Sequence, residues 1–272
     1  MDKNALSKLQ LLDELGYDLY ELKGSTSKSS VEVANTNQND KGNLEVQAES
    51  QTIEEKISSS PVQLSQQTSQ NFSQSKAKIN SIPALNFDEL SEQIKSCRAC
   101  DLHKNRIQAV VGFGDNQSDL FIVGEAPGQM EDELGEPFVG RSGKLLDAIL
   151  FAVDLNRRQV YIANMVKCRP PNNRNPEAEE VNTCEHFLHQ QIAFIKPKLI
   201  VSLGAVSSQN LLKTNEPMGR LRGKKHFIEI NYNQQIIRLP LIASYHPAYL
   251  LRDPNQKSKA WQDWKMIRDT IF

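Results

Sequence analysis

A glycine-rich loop, a lone asparagine, a lone histidine and four cysteines carry the chemistry that this sequence advertises. The loop is GEAPGQMEDELGEPFVGRSG, residues 124–143. It holds five of the chain's thirteen glycines, five acids, two prolines and one aromatic, Phe138. Phosphate-cradling loops follow Gly-x-x-x-x-Gly-Lys-Ser/Thr, or Gly-x-Gly-x-x-Gly for a dinucleotide. Here Leu145 follows Gly143-Lys144, Phe138 stands where the first glycine belongs, and Gly124 and Gly128 are four apart. Five carboxylates would also repel a pyrophosphate. A flat, neutral ligand suits the loop better. Backbone around Gly124, Glu125 and Ala126 can meet the edge of a planar heterocycle, and Phe138 offers a face for stacking. Asn164 brings an amide that both donates and accepts. Taken singly, each has an ordinary alternative: Asn164 as a strand-end hydrogen bonder, Phe138 as core, His246 as a helix cap.

The cysteines form a C-x-x-C pair, Cys97 and Cys100, followed by Cys168 and Cys184 with fifteen residues between them. A redox dithiol uses only the first pair and leaves the other two unexplained. Structural zinc takes four thiolates, usually from two close pairs. An iron–sulfur cluster takes four from irregular, distant positions. Spacing leaves cluster and zinc both open. Asn175-Pro176-Glu177 predicts a helix start, with Asn175 as N-cap, which puts Cys184 in the third turn. A metal there would stiffen the basic loop CRPPNNRNP, holding Arg169 and Arg174, beside Asn164.

These residues need a frame, and the pattern after residue 84 supplies one. Apolar runs at 119–126, 159–167, 198–204 and 240–247 predict strands, separated mostly by helical stretches such as GKLLDAILFAV and NPEAEEVNTCEHFLHQQIAFI. Strands alternating with helices predict a parallel sheet covered on both faces. A hairpin, HFIEINYNQQIIRL, precedes the last run. Ligands of open α/β sheets sit outside the carboxyl ends of the strands. Gly124-Glu125-Ala126, Asn164 and His246 all fall at such ends, so three unlike groups converge on one rim.

Before this frame the chain differs in kind. Leu6, Leu9, Leu12, Leu15, Leu19 and Leu22 predict a short amphipathic helix over residues 1–22, a frayed end or a docking element for a protein partner. About half of residues 24–83 are Ser, Thr, Asn or Gln, with one aromatic, Phe72, which predicts a disordered linker over 23–83. Net charge is −1. Residues 1–83 hold eight Lys/Arg and eleven Asp/Glu, leaving 24 and 22 for 84–272. No bulk positive field marks a nucleic-acid binder, so any such contact must come from local clusters. No apolar run approaches the roughly 20 residues needed to span a bilayer, and the acidic N-terminus is unlike a secretory signal. The expected compartment is the cytoplasm.

The sequence closely resembles the iron–sulfur (type-4) uracil-DNA glycosylases. GEAPGQMED with GEPFVGRSG, NMVKCRPPNNRNP with the third cysteine, the fourth cysteine fifteen residues on, and HPAYLLR occur in the family's order. The resemblance covers roughly residues 88–272. It implies a three-layer α/β/α sandwich around a four-stranded parallel sheet, and a [4Fe-4S] cluster on Cys97, Cys100, Cys168 and Cys184. It also implies a uracil pocket of Gly124, Glu125, Ala126, Phe138, Asn164 and His246. In that pocket Phe138 stacks on a flipped base, Asn164 reads its N3–H/O4 edge, and His246 donates to O2 as negative charge develops. Glu125 positions water or steadies the sugar cation. On the residues themselves, Leu250 and Leu251 either wedge into the vacated stack or simply pack their helix, and Arg169, Arg174, Arg220, Arg222 and Arg252, with Lys167, Lys224 and Lys225, either contact phosphates or form a solvated face. The partner is uracil-containing DNA, single- or double-stranded, and a monomer is expected. Another version of the fold binds uracil-DNA covalently through a histidine, which directs attention to His226 after GRLRGKK. The RRIH-type insertion of that version is missing here.

Overall fold

The computed structural model describes residues 86–272. The expectations for residues 1–22 and 23–83 lie outside the described residues. Four strands run parallel in the middle of one sheet: β2 (Leu120–Gly124), β3 (Tyr161–Asn164), β4 (Leu199–Leu203) and β6 (Gln235–Ser244). Two short-partnered edges complete it, β1 (Phe113–Gly114) against β3 and β5 (Lys225–Tyr232) against β6, both antiparallel. The order is β1-β3-β2-β4-β6-β5. The sheet therefore has six strands rather than four. The parallel heart is as expected, and the hairpin and the Phe113–Gly114 segment close its two edges.

Why these residues make strands is plain from their burial. Every residue of β2, β3 and β4 is buried, so the sequence shows continuous apolar runs, as parallel strands covered on both faces do. Side chains alternate between two cores. Phe121, Val123, Tyr161, Ile200 and Leu241 meet α1 (Phe87–Ser96) and α4 (Ala178–Ile195) on one face. Ile122, Ile162, Val201 and Ile242 meet α3 (Arg141–Ala152) and α8 (Lys257–Ile271) on the other. Three short helices complete the chain: α2 (Gln129–Leu134), α5 (Ala205–Leu212) and α6 (Met218–Leu221), with α7 (Pro247–Arg252) leading into α8.

Two local details differ from the sequence reading. α4 begins at Ala178, not after Asn175, because Glu180 accepts from the Glu177 backbone N–H at 2.7 Å in a capping box that sets the N-cap two residues later. Cys184 thus sits in the second turn. The β5–β6 turn is Asn233-Gln234 with φ of 49° and 64°, the two left-handed residues that match the twist of a tight hairpin. Among the described residues no helix is long and apolar enough to cross a membrane.

Candidate active site

The cleft lies at the carboxyl ends of β2, β3, β4 and β6. Gly124 ends β2 and pairs in register with Asn164 at the end of β3. His246 follows β6 by two residues and caps α7. Glu125, Ala126, Phe138, Asn164 and His246 line one cavity of about 750 Å³. Gly124 does not line it but shapes it from behind. A Cβ there would stand 2.3 Å from Asn164 Oδ1 and 2.7 Å from the Phe138 ring, so glycine is what lets the amide and the ring approach each other. Gly204 does the same for His246, whose Cβ is 3.0 Å from where a side chain would begin.

The polar groups of the cleft are set before any ligand arrives. His246 Nδ1 accepts the Ala248 backbone N–H at 3.1 Å, which leaves the ring's proton on Nε2 as a donor. Burial, helped by the Arg252 charge and opposed by Glu131, pushes the imidazole down to about 4. It is neutral at physiological pH. The Phe138 ring lies 5.4 Å from the His246 ring, 30° from parallel. Asn164 is 2 % exposed, and its Oδ1 has no hydrogen-bond partner. A buried acceptor left open costs about 1–3 kcal/mol, a cost that a ligand N–H would remove. Burial raises the Glu125 carboxyl above the usual glutamate range.

Two of the loop's five acids turn out to be scaffold. Glu131, 8 % exposed, accepts from Val139 N–H at 2.9 Å and Gly140 N–H at 3.0 Å. Asp132, 1 % exposed, accepts from Ile107 N–H at 3.0 Å. From the other side Arg157 donates to the Pro137 carbonyl at 2.7 Å and the Phe138 carbonyl at 3.3 Å. Together they hold Phe138 at φ 54°, a left-handed conformation uncommon for a non-glycine residue. Sequence reasoning counted these acids only as repulsion for a phosphate and missed Arg157 altogether. The acid-and-glycine density of the loop was the available signal for the first. For Arg157, about twenty residues away, there was none.

All four cysteines line a second, small cavity beneath the α1 terminus, with Ile94, Phe187, Arg106 and Lys167 around them. Arg106 donates to Cys168 Sγ at 2.8 Å. Burial pushes the Cys184 thiol up to about 12 and raises Cys100 and Cys168 as well. A reactive dithiol needs the opposite, a depressed and accessible thiolate. Among the described residues no three His, Cys, Asp or Glu side chains converge on a point where one ion would sit.

Residues 111–265 match the family model described as the uracil DNA glycosylase superfamily. The chain belongs to that superfamily. Its relatives include the type-4 uracil-DNA glycosylase of Archaeoglobus fulgidus, 40 % identical over 185 residues, which are 66 % of this chain and 91 % of that protein. The type-4 uracil-DNA glycosylase of Pyrobaculum aerophilum is 42 % identical over 67 % of this chain and 93 % of its own length. That of Thermotoga maritima is 42 % identical over 60 % and 82 %. The chain stands among the type-4 glycosylases.

For such a glycosylase the outer surface of the cleft matters as much as its floor, and here several expectations are corrected. Leu250 is fully buried among α3 and α8 residues, so it packs the core and presents nothing to a vacated base stack. Leu251, 37 % exposed, is the neighbour that faces out. Arg222 pairs with the buried Asp263 through Nε at 3.0 Å and Nη2 at 2.8 Å, and is tied inward rather than offered to phosphate. Lys167 is 1 % exposed and donates to the Asn164 carbonyl at 2.9 Å and Gln191 Oε1 at 2.6 Å. Burial draws its ammonium down to about 8. Arg174 and Arg252 line the cleft. Arg174 also grips Glu180 with two bonds of 2.8 and 2.7 Å. Arg169 reaches Asn173 at 2.7 Å, and Arg220, Lys224 and Lys225 are exposed. His226 lies outside the cleft, its Nε2 2.7 Å from the Leu221 carbonyl.

Proposed function

We propose that this enzyme removes uracil from DNA by hydrolysing the N-glycosidic bond, leaving an abasic site for base excision repair, and that it does so without a covalent lysine intermediate. The observation that carries this reading is the cleft itself. One ring face, one open amide acceptor and one neutral Nε2–H donor enclose a space fit for a single flat base. The base must first leave the duplex stack, which costs a few kcal/mol. Phe138 stacks on it. Asn164 Oδ1 takes the N3–H that its buried position lacks, and its amide N–H meets O4. Cytosine presents the reverse pattern, a lone pair facing Oδ1 and donors facing the amide N–H, and is rejected.

Bond cleavage places negative charge on the departing base and positive charge on the sugar. His246 donates from Nε2 to O2 as that charge grows, and the bond strengthens in the transition state, which is what accelerates the step. A neutral imidazole suits this role because it needs no proton exchange. Glu125 steadies the sugar cation or orients the attacking water from the cleft wall. Arg169, Arg174, Arg220 and Arg252, with Leu251, hold the flanking strand, phosphate contacts that fix register rather than sequence. The expected setting is the cytoplasm, with the protein acting as a monomer.

In the thiol cavity we assign a [4Fe-4S] cluster to Cys97, Cys100, Cys168 and Cys184. Zinc draws its ligands to about 2.3 Å from one point, whereas in a four-iron cluster each thiolate holds its own iron. Four cysteines from irregular, distant positions line one cavity, the donor set that such a cluster takes. Arg106 and Lys167 offset the negative charge of such a centre. Bound there, it would supply rigidity to the loop after β3. Purified protein should be brown, with visible thiolate-to-iron absorption; a colourless protein holding zinc would end this assignment.

The function is tested with a uracil-containing oligonucleotide, followed by alkali to cut at abasic sites. Strand cleavage at the uracil is expected. Intact strands after incubation with folded protein would overturn the proposal.

A further inference from the structure

The geometry points to Arg157 as a positioning residue for uracil excision, acting through Phe138. This deepens the reading given above and rests on it. Arg157 precedes β3 and is not among the residues that line the cleft. Its guanidinium bridges the Pro137 and Phe138 carbonyls at 2.7 and 3.3 Å. It also stands 3.5 Å from Asp147 of α3 and 4.8 Å from the centre of the Phe113 ring of β1. One side chain thus joins the loop to a helix and to the sheet edge.

Such a fastener is required at this point because of what the loop does. Phe138 holds φ 54°, a region where a side chain crowds its own backbone and which persists only when the surroundings enforce it. Three contacts enforce it. Glu131 takes the N–H groups just after Phe138. Gly143 clears the space behind, since a Cβ there would fall 1.7 Å from the Phe138 carbonyl oxygen. Arg157 takes the carbonyls. The bridge uses two donors of a rigid fork, so it fixes the direction of the peptide as well as its place. That direction sets the ring in its stack against His246.

The ring, once released from the bridge, would sample other poses, and misplacement by about 1 Å can cost on the order of 100-fold in rate. Phe138, not Arg157, touches the base. Loss of Arg157 should therefore lower the single-turnover excision rate by about 10- to 100-fold while leaving affinity for abasic-site DNA within about twofold, since the phosphate contacts are elsewhere. The deciding experiment is a double-mutant cycle in single-turnover excision, with Arg157→Gln, Phe138→Ala and the pair. If Arg157 acts through the ring, the double variant is no slower than Phe138→Ala alone. Losses that multiply would assign Arg157 a general structural role and overturn the inference, as would an Arg157→Gln enzyme with wild-type rate. Should Arg157→Gln fail to fold, Arg157→Lys serves in the same cycle. It keeps the charge beside Asp147 but cannot span both carbonyls, and the same two outcomes decide. Wild-type protein is assayed alongside: excision by the wild type with a multiplicative cycle sinks only the role of Arg157, whereas no excision by the wild type sinks the function itself.

Discussion

At the scale of single residues, protonation sets the working range. The folded value of His246, about 4, lies below its ordinary 6.5. The folded state therefore favours the neutral ring. The stability this contributes is complete above pH 6.5 and is lost as pH falls towards 4. Excision should follow a similar course, persisting through mildly acidic buffers and failing as the ring gains its proton. Glu125 adds a second limb, because burial raises its carboxyl and the role proposed for it needs the ionised form. A pH–rate profile under single turnover separates them: Glu125→Gln should be slower, with the upper limb gone and the lower one kept. Asn164→Ala leaves two groups of the uracil edge unmatched at about 1–3 kcal/mol each, so its excision rate should fall by about 30-fold or more. Melting temperature should change little by comparison, since the open acceptor goes as well.

Elements decide where those residues stand, and Gly124 shows how closely. Gly124→Ala would drive a methyl group against the Asn164 amide and the Phe138 ring. Overpacking of this kind costs about 1–3 kcal/mol. Both crowded groups belong to the cleft, so excision should fall by more than the melting temperature suggests; thermal denaturation beside a rate measurement checks this. The same region shows what a sequence makes legible. Strand ends announce themselves, because a buried apolar run stops at a glycine or an asparagine, and that located Gly124, Asn164 and His246 before any coordinates. The edge strand β1 gave no such notice, being two residues long. Leu250 and Leu251 are adjacent, and periodicity alone could not say which one turned inward; the packing of α7 onto α3 decided it. Arg222 and Lys167 looked like surface charge, because their buried partners, Asp263 and Gln191, stand 41 and 24 residues away. Arg157 was invisible for the same reason.

Across the whole molecule, polar ties link layers that the sheet alone would leave to apolar packing. Asp263, fully buried on α8, receives Arg222 from the segment before β5 and the Ser244 hydroxyl at 3.0 Å from the end of β6. Breaking such a buried pair from one side costs about 3–5 kcal/mol, because the other charge stays behind. Arg222→Ala should therefore shift the urea midpoint well downward, and Arg222→Ala with Asp263→Asn should recover part of that loss.

Lys167 is the tie with the widest reach. Its amine bonds to the main chain of Asn164, the residue proposed to read the base, and to Gln191 of α4, and it neighbours the third cysteine in sequence. Two cavities with no lining residue in common are thus strung on a single side chain of fixed length. On the cluster assignment proposed above, removing the metal should accordingly weaken the hold on the substrate first, with helical content declining only afterwards.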